Sequence, residues 1–315
     1  MKAAVLAAGL GTRLRPLTDI CPKPLIPILN RPLLGLVLAQ LEAAGCFQVA
    51  VNTHHLADQV HDYLRSEPWS FNLSVSFEPE ILGTGGAIKQ LGEILRDGPF
   101  LAINGDILTD LDLAETYRRH QPGAVSTLAL HDCPPYNNVW VADGAVVSIG
   151  APPPSGAGSP LAYTGIQVVD PKLIDYLPPA GQKYDLVQAW REALANGERL
   201  AYFEVNGHFW QDIGSPENYL TAQARLLQGE SPKLARYFPG LTDPLIGPGA
   251  RIGAGVQFKG AVSLGANVEV GEGASLKNTV VWDQAVIAPG VELEGCIVAS
   301  GAQVNHSCRG QVLVI

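Results

Sequence analysis

The chain has 315 residues, of which 47% are hydrophobic, and its formal net charge at pH 7 is −9. This length and apolar content allow a large buried core and exceed one typical domain, so we expect two domains. The negative net charge, without a basic run, argues against nucleic acid or an anionic membrane as a partner, and no apolar run reaches the length of a membrane span. The five cysteines lack C-x-x-C spacing, which indicates a reduced, cytoplasmic protein.

The N-terminal segment joins an apolar strand to a glycine-bearing turn and a basic, proline-punctuated loop. Apolar residues 3–8 lead into Gly9-Leu-Gly-Thr-Arg13, and Pro22-Lys-Pro24 follows. At such strand ends α/β proteins present backbone N–H groups to phosphates. The dinucleotide fingerprint is excluded because Leu14 stands where a third glycine is required, and a P-loop is excluded because Gly11 is followed by Thr-Arg. The segment therefore predicts a nucleotide site of another kind.

Segments with strand and helix patterns alternate over roughly the first two hundred residues. The predicted helices include 32–45, 56–65 and 85–95, and the predicted strands include 48–53, 73–77 and 100–104. This rhythm indicates right-handed β-α-β units and an α/β fold with a doubly wound, mostly parallel, Rossmann-like sheet. We therefore expect the functional residues at the carboxyl ends of the strands.

Two aspartates are candidates for a metal site. Asp106 comes just after a predicted strand, and Asp212 precedes Ser215-Pro216, which has the pattern of a helix cap and first helical residue. Carboxylates on such turns are well placed to hold Mg²⁺ that bridges phosphate oxygens. The alternative for either aspartate alone is a simple turn or cap.

The pattern G-x-G-T-R-x-x-P-x-T with a downstream Pro-Lys-Pro resembles the signature of sugar-1-phosphate nucleotidyltransferases. The resemblance implies that Arg13 clamps the triphosphate through its planar fork and that Lys23 places a point charge near the transferring phosphoryl group. It assigns catalysis to Arg13, Lys23 and Asp106, and Mg²⁺ to Asp106 and Asp212. It assigns the nucleotide to Leu6, Ala8, Gly9, Gly11, Thr12, Arg13, Glu78, Gly83 and Thr84. The alternative is an ordinary solvated basic loop.

The segment from Glu78 to Ile88 resembles the family's L-G-T-x-G segment, which closes over the nucleobase. Its glycines permit close backbone approach. A carboxylate accepts two parallel hydrogen bonds, and guanine offers two parallel donors in its N1–H and N2–H groups. If Glu78 contacts the base, the sequence therefore mildly favours GTP as the nucleotide. The alternative is that Glu78 points to water at a strand end.

The sugar half of the site departs from the family pattern. Members often carry Phe-x-Glu-Lys-Pro after a short β-hairpin, whereas here the predicted hairpin 139–148 leads into Ile149-Gly-Ala-Pro152, without either charged residue. The resemblance still offers Asn138, Tyr163 and Gly165 as sugar contacts. The segment 152–160 is rich in Pro, Gly and Ser and predicts a flexible loop over the sugar site, with a plain surface loop as the alternative.

Beyond a proline-containing break, an apolar residue recurs every six positions from Ile246 onward, which is the hexapeptide pattern of a β-helix. By resemblance this is a left-handed β-helix of about three coils. The predicted division is a catalytic domain over 1–228, a linker over 229–244 and the β-helix over 245–315. We interpret the β-helix as structural, in subunit contact or lid support, so a homo-oligomer through it is compatible with the sequence. Its one histidine, His306, lies past the last clear hexad and is a poor catalyst candidate.

These features predict an enzyme whose partners are a nucleoside triphosphate and a sugar 1-phosphate. The sugar phosphate attacks the α-phosphorus in line, and pyrophosphate leaves. The β-helix and Glu78 favour GTP and mannose 1-phosphate. One alternative is a uridylyltransferase acting on N-acetylmuramate or hexose 1-phosphate. The other is a non-catalytic regulatory paralogue that only binds sugar nucleotides, which the missing Glu-Lys pair favours and the intact Arg13, Lys23, Asp106 and Asp212 oppose.

Overall fold

The computed structural model describes residues 1–153, 155–156 and 158–314. Its contacts group the chain into two compact units. The first unit contains Met1–Gly9, Val37–Ile107 and Leu111–Trp210, and the second contains Leu10–Leu36, Leu108–Asp110 and the chain from Gln211 onward. This grouping differs from the predicted division at 228 and 245, because the basic signature segment groups with the C-terminal part of the chain.

The described strands and helices follow in chain order. The strands of the N-terminal two thirds are β1 (Lys2–Leu6), β2 (Pro27–Ile28), β3 (Arg31–Pro32), β4 (Gln48–Thr53), β5 (Asn72–Phe77), β6 (Phe100–Asn104), β7 (Ile107–Thr109), β8 (Ala124–His131), β9 (Val139–Ala142), β10 (Ala145–Ile149), β11 (Ser159–Val169), β12 (Arg199–Glu204) and β13 (Trp210–Asp212). The helices are α1 (Leu17–Ile20), α2 (Leu33–Ala43), α3 (Ala57–Ser66), α4 (Gly83–Ile94), α5 (Leu113–Arg118), α6 (Pro171–Ile174), α7 (Leu186–Ala195), α8 (Pro216–Leu227) and α9 (Pro232–Ala235). Single 3₁₀ turns cover Thr12–Leu14 and Lys23–Leu25.

The first unit is built on one large sheet with the strand order β5-β4-β1-β6-β11-β8-β12-β10-β9. The sheet is parallel from β5 to β6, and β11 then runs antiparallel to both β6 and β8. The predicted α/β fold is confirmed, and the sheet is mixed rather than uniformly parallel beyond β6. Side chains of α4, α6 and α7 pack on it in one hydrophobic core.

The predicted helices and strands of the first hundred residues are confirmed with small shifts at their ends. The strands predicted at 48–53 and 100–104 are β4 and β6 with identical bounds. Both are almost completely buried, as is usual for parallel strands covered on both faces. Helix α2 ends before Gly45, whose φ of +78° suits glycine at a helix end.

The predicted β-helix is confirmed in the second unit as three parallel sheets. Its strands are β14 (Leu245–Ile246), β15 (Arg251–Ile252), β16 (Gln257–Lys259), β17 (Ser263–Leu264), β18 (Glu269–Val270), β19 (Ser275–Lys277), β20 (Val280–Val281), β21 (Val286–Ile287), β22 (Glu292–Glu294), β23 (Ile297–Val298), β24 (Gln303–Val304), β25 (Cys308–Arg309) and β26 (Val312–Leu313). The sheets are β14-β17-β20-β23-β26, β15-β18-β21-β24 and β16-β19-β22-β25. Apolar side chains from the hexad positions fill the interior between the sheets.

The β-helix has four coils rather than the predicted three, because the repeat loses one residue after the first coil. Ile246 pairs with Leu264, but Leu264 pairs with Val281, one residue fewer along the chain. The shorter corner places Asn278 at a positive φ of +47°, and Gly295 occupies the same corner at +61°. Gly260 of the first coil also has a positive φ, of +61°, so the left-handed residue is common to this corner, and the lost residue lies between it and the next strand. The shorter corner interrupts the six-residue period of the sequence.

Among the described residues, none of the helices combines the length and apolar character that a transmembrane span needs. The loop predicted over 152–160 contains Pro154 and Ala157, which lie outside the described residues.

Candidate functional site

The first unit places Asp106 at the carboxyl end of β6, beside the end of β1. Leu6 pairs with Asn104 in register, and the Gly105 amide donates a hydrogen bond of 2.8 Å to the Leu6 carbonyl. A Cβ on Gly105 would lie 2.9 Å from that same oxygen, so this turn requires glycine. Asp106 follows directly and is half-buried. Its position is the strand end at which the sequence places ligand-binding residues.

Glu78 is a buried anchor at the neighbouring strand end. Its Oε1 accepts a 2.7 Å hydrogen bond from Asn52 Nδ2, and its Oε2 accepts one of 3.0 Å from the Leu82 amide. Asn52 Oδ1 accepts from the Ala7 amide at 2.6 Å, which ties the network to the turn after β1. The interpretation that Glu78 points to water is wrong, because the residue is 1% exposed. Both carboxylate oxygens of Glu78 already accept hydrogen bonds within the unit. To bind a nucleobase, the side chain would have to give up one of these bonds.

The glycines that follow Glu78 pack against a backbone segment before α7. Gly83 has a φ of +68°, and a Cβ there would lie 2.7 Å from the Tyr184 carbonyl oxygen. The Gly85 amide donates to the same oxygen at 3.0 Å, and Thr84 Oγ1 accepts from the Leu186 amide at 3.2 Å. Close packing therefore explains why glycine is needed here. The nucleobase contact of Gly83 and Thr84 stays a prediction.

The second unit brings two predicted site residues together. Arg13 Nη2 lies 3.5 Å from Asp212 Oδ2. The Arg13 side chain is 65% exposed, whereas that of Asp212 is 19% exposed. Because the ion pair is long and its arginine is exposed, it contributes little stability, and the guanidinium remains accessible to a stronger anion such as a phosphate. Ser215 caps α8 by accepting from the Asn218 amide, as the sequence predicts.

The turn that carries Arg13 is closed by Gly11 and Thr18. Gly11 has a φ of +63°, and Thr18 Oγ1 donates a 2.9 Å hydrogen bond to its carbonyl. A Cβ at Gly11 would lie 2.7 Å from Thr18 Cγ2 and 3.1 Å from Lys23 Cβ. The stem of Lys23 therefore packs beside the glycine turn, and this lysine is 9% exposed.

The predicted sugar contacts fall at two places on β11 and at the start of β9. Gly165 has a φ of +86°, and a Cβ there would lie 3.1 Å from Asn104 Nδ2. The Tyr163 ring packs edge-on against Trp190 with 5.1 Å between centroids, and burial raises the pKa of its hydroxyl. Asn138 uses its backbone to bond Leu161 and Gly150. Gly165 thus lies at the strand-end edge, whereas Tyr163 faces the core.

Sequence reasoning did not single out Arg191, on α7. Its Nε and Nη2 donate hydrogen bonds of 3.1 and 3.0 Å to the Ile149 carbonyl, next to Gly150 at a φ of +88°. Ile149 ends the hairpin after which the family places its Glu-Lys pair. The structure thus supplies a cation at that point from another element, which no local motif signals.

The carboxylates fit a magnesium ion by chemical type. Among the described residues, no three His, Cys, Asp or Glu side chains cluster closely enough to form a metal site. Mg²⁺ is commonly bound by only one or two carboxylates and completes its octahedron with substrate phosphates and water. Asp106 of the first unit and Asp212 of the second each carry oxygen donors of the type that Mg²⁺ prefers, and their role as its ligands stays a prediction.

The fold and these residues define a nucleotidyltransferase. The nucleotidyl transferase family model matches residues 2–229, so the chain belongs to this family. It is 31% identical to UTP–glucose-1-phosphate uridylyltransferase of Synechocystis over 98% of this chain and 82% of that protein. It is 29% identical to mannose-1-phosphate guanylyltransferase of Mycobacterium tuberculosis over 94% of this chain and 82% of the relative. N-acetylmuramate α-1-phosphate uridylyltransferase of Neisseria meningitidis is 32% identical over 71% of this chain and 97% of its own length.

Solved structures agree on the fold. HddC from Yersinia pseudotuberculosis, complexed with GMP-PN, superposes with a TM-score of 0.59 and 25% identity over 70% of this chain and 97% of its own. A putative glucose-1-phosphate thymidylyltransferase from Bacillus anthracis gives a TM-score of 0.61 at 20% identity, over 71% of this chain and 94% of its own. Both matches cover less of this chain than the three-quarters that precede the β-helix.

Proposed function

We propose that this chain joins a nucleoside triphosphate to a sugar 1-phosphate, forming a nucleoside-diphosphate sugar and pyrophosphate. The observation that carries the proposal is the Gly11–Arg13 turn, in which an exposed guanidinium lies 3.5 Å from Asp212. A bidentate cation on a glycine turn next to a carboxylate suits a site that gathers phosphates. Membership of the nucleotidyl transferase family indicates that the reaction is a nucleotidyl transfer.

The proposed reaction needs positioning and charge stabilisation more than covalent chemistry. An oxygen of the sugar phosphate attacks the α-phosphorus, and the bond from that phosphorus to the bridging oxygen of the β-phosphate breaks. Arg13 binds the charge that grows on the leaving pyrophosphate, and Lys23 supplies a point charge at the transferring group. Asp106 and Asp212 are the carboxylates proposed to hold Mg²⁺, which neutralises phosphate charge when it is bound.

We assign the missing positive charge of the sugar-phosphate half to Arg191. Two of its donors hold the Ile149 carbonyl, and the remaining N–H groups of the guanidinium are available for an anion. The residue is exposed at the end of the hairpin. This arginine replaces the lysine of the absent Glu-Lys pair in our proposal.

GTP and mannose 1-phosphate are our first choice of substrates. The support is the match to the mycobacterial guanylyltransferase, which extends over 94% of this chain and so includes the β-helix. UTP with glucose 1-phosphate is the second candidate, because the Synechocystis uridylyltransferase matches 98% of the chain at slightly higher identity. N-acetylmuramate 1-phosphate is the third, on a relative that covers 71% of the chain.

The decisive experiment is a matrix of substrates. GTP, UTP, dTTP, ATP and CTP are each incubated with mannose, glucose and N-acetylmuramate 1-phosphates in Mg²⁺, and pyrophosphate release is measured. We expect one pair to dominate and Arg13→Ala to abolish its turnover. Sugar-nucleotide binding without turnover for any pair would instead support the regulatory paralogue.

The proposal also covers the cellular location and the oligomeric state of the protein. We propose a cytoplasmic location, which suits the free state of the five cysteines. We also propose a homo-oligomer that covers the first coil of the β-helix, where Ile246 and Ile252 are 45% and 38% exposed. Light scattering of the intact chain tests the second point, with Ile246→Ser and Ile252→Ser expected to shift it towards monomer.

A further inference from the structure

The chain makes a tight, strained turn directly after the Pro-Lys-Pro segment. Strands β2 and β3 pair through a two-residue turn in which Leu29 and Asn30 have φ values of +45° and +65°. A pair of positive φ values matches a type I′ hairpin turn, which favours glycine or asparagine. Leucine is a poor residue for this conformation, so surrounding contacts must hold it.

Helix α8 holds the turn through two buried side chains. Tyr219 Oη donates a 2.6 Å hydrogen bond to the Pro27 carbonyl, and Gln223 Nε2 donates to the same oxygen at 3.1 Å. Gln223 Oε1 in turn accepts from the Leu29 amide at 2.9 Å. Tyr219 and Gln223 are 0% and 2% exposed. Strand β2 and the first residue of the strained turn are thus bonded to one helix.

The β-helix completes the arrangement. Trp282 Nε1 donates a 2.9 Å hydrogen bond to Tyr219 Oη, and the two rings meet edge to face with 6.5 Å between centroids. The Tyr219 hydroxyl thus accepts a hydrogen bond from the indole N–H and donates its own single proton to the Pro27 carbonyl. Asn30 Nδ2 donates to the Leu264 carbonyl at 2.7 Å, which ties the tip of the turn to the second coil.

We propose that Trp282, Tyr219 and Gln223 are positioning residues for nucleotidyl transfer, acting on Lys23 through the Pro27 carbonyl. The 3₁₀ turn Lys23–Leu25 lies between Lys23 and Pro27, and prolines at 22, 24 and 27 restrict the backbone there. A shift at Pro27 is therefore transmitted to Lys23 rather than absorbed. Through Trp282, one side chain of the β-helix thereby positions a group of the proposed site. The inference rests on the role proposed for Lys23.

Kinetics of the full-length chain test the inference. Tyr219→Phe removes the donor to Pro27 and keeps the ring, and we expect kcat to fall by at least about tenfold because the phosphoryl site loses its alignment. KM for the sugar 1-phosphate should change little, since Lys23 acts at the transferring group. Trp282→Phe should also lower kcat. In the Tyr219→Phe background it should lower kcat no further, because Trp282 acts through the Tyr219 hydroxyl.

The matched control is Leu293→Ala, which opens a cavity in the β-helix core away from α8. Leu293 is 1% exposed and belongs to that core cluster. We expect Leu293→Ala to lower the melting temperature at least as much as Tyr219→Phe, with kcat unchanged. An equal loss of kcat in Leu293→Ala, wild-type kcat in Tyr219→Phe, or additive losses in the Tyr219→Phe/Trp282→Phe double variant would each overturn the inference.

Hydrogen exchange supplies a readout that does not depend on turnover. Tyr219→Phe and Gln223→Leu should accelerate amide exchange in the peptide covering 25–34, whereas Leu293→Ala should not. Unchanged exchange in both variants would also overturn the inference. If the wild-type chain turns over no substrate pair, the proposed function fails, and the exchange data still decide whether α8 and the β-helix hold this turn.

Discussion

Arg13 and Asp212 form an ion pair of 3.5 Å between the glycine turn of the signature segment and the turn before α8. A cation proposed for the triphosphate and a carboxylate proposed for Mg²⁺ therefore orient each other before any substrate is present. The pair is weak because the arginine is exposed, which suits a cation that must exchange its carboxylate for a phosphate. Its geometry leads to the first prediction.

Gly214→Ala should separate the two residues without unfolding the chain. A Cβ at Gly214 would lie 2.7 Å from Asp212 Oδ2 and would also press on Arg13 Nη2. We expect kcat to fall by at least about tenfold, because small displacements of phosphate-binding groups are costly. Steady-state kinetics and circular dichroism measure the two effects. A wild-type rate for Gly214→Ala would contradict the prediction.

Gly9→Ala should impair triphosphate binding, whereas Gly11→Ala should lower the stability of the chain. A Cβ at Gly9 meets no atom within 4 Å, so Gly9→Ala should keep its stability and weaken triphosphate binding by occupying the strand-end space. Gly11→Ala forces alanine to a φ of +63° against Thr18 and should cost at least about 1–2 kcal/mol of stability. Urea unfolding and titration calorimetry separate the two outcomes. Unchanged triphosphate affinity in Gly9→Ala would show that the nucleotide does not use this space.

Asp106→Ala should abolish Mg²⁺-dependent pyrophosphate release and leave the fold intact. The turn that carries the carboxylate is held by the hydrogen bond from the Gly105 amide to the Leu6 carbonyl, and Asp106→Ala keeps both of these groups. Turnover is measured across a Mg²⁺ titration. Asp143→Asn, in the exposed hairpin turn between β9 and β10, removes a carboxylate at a φ of +49° that asparagine tolerates; it is the control and should retain activity. Near-normal turnover of Asp106→Ala would remove the metal assignment.

Glu78→Gln should destabilise the chain and keep its ranking of nucleotides. The carboxylate accepts from Asn52 Nδ2 and from the Leu82 amide, whereas an amide turns an N–H₂ group towards one of these donors. The loss should be about 1–3 kcal/mol, the usual cost of an unsatisfied buried group. Denaturant unfolding tests the stability, and Glu80→Gln is the exposed control. If Glu78→Gln instead reverses a preference between GTP and UTP, Glu78 reads the base.

Stability should decrease as the pH falls from about 6.5 to about 4, in part through His131. Burial and the neighbouring His208 lower the pKa of His131 from 6.5 to about 4, against a smaller opposing effect of Asp132. Between these values the unfolded chain binds a proton that folded His131 does not, so acid favours unfolding. His131→Phe should flatten the dependence of the unfolding free energy on pH in this window. The control variant His306→Gln, at an exposed histidine, should leave this pH dependence unchanged. An unchanged pH dependence in His131→Phe would contradict the prediction.

The amino-acid sequence determined the elements and the family of this protein. Strands β4 and β6, the Ser215 cap and the hexad interior follow from patterns within a few residues, because strand and helix periodicity and capping are local properties. The proposed site residues Arg13, Lys23, Asp106 and Asp212 also stand in short motifs, and their roles stay predictions.

Only the tertiary structure decided what the side chains contact. The sequence could not place both oxygens of Glu78 on Asn52 and Leu82, supply Arg191 to the end of the hairpin, or link Trp282 through Tyr219 to Pro27. Each of these bonds joins residues that come together only when distant elements pack, and a hydrogen bond depends on that packing to within a fraction of an ångström. Local periodicity carries no information about such distances.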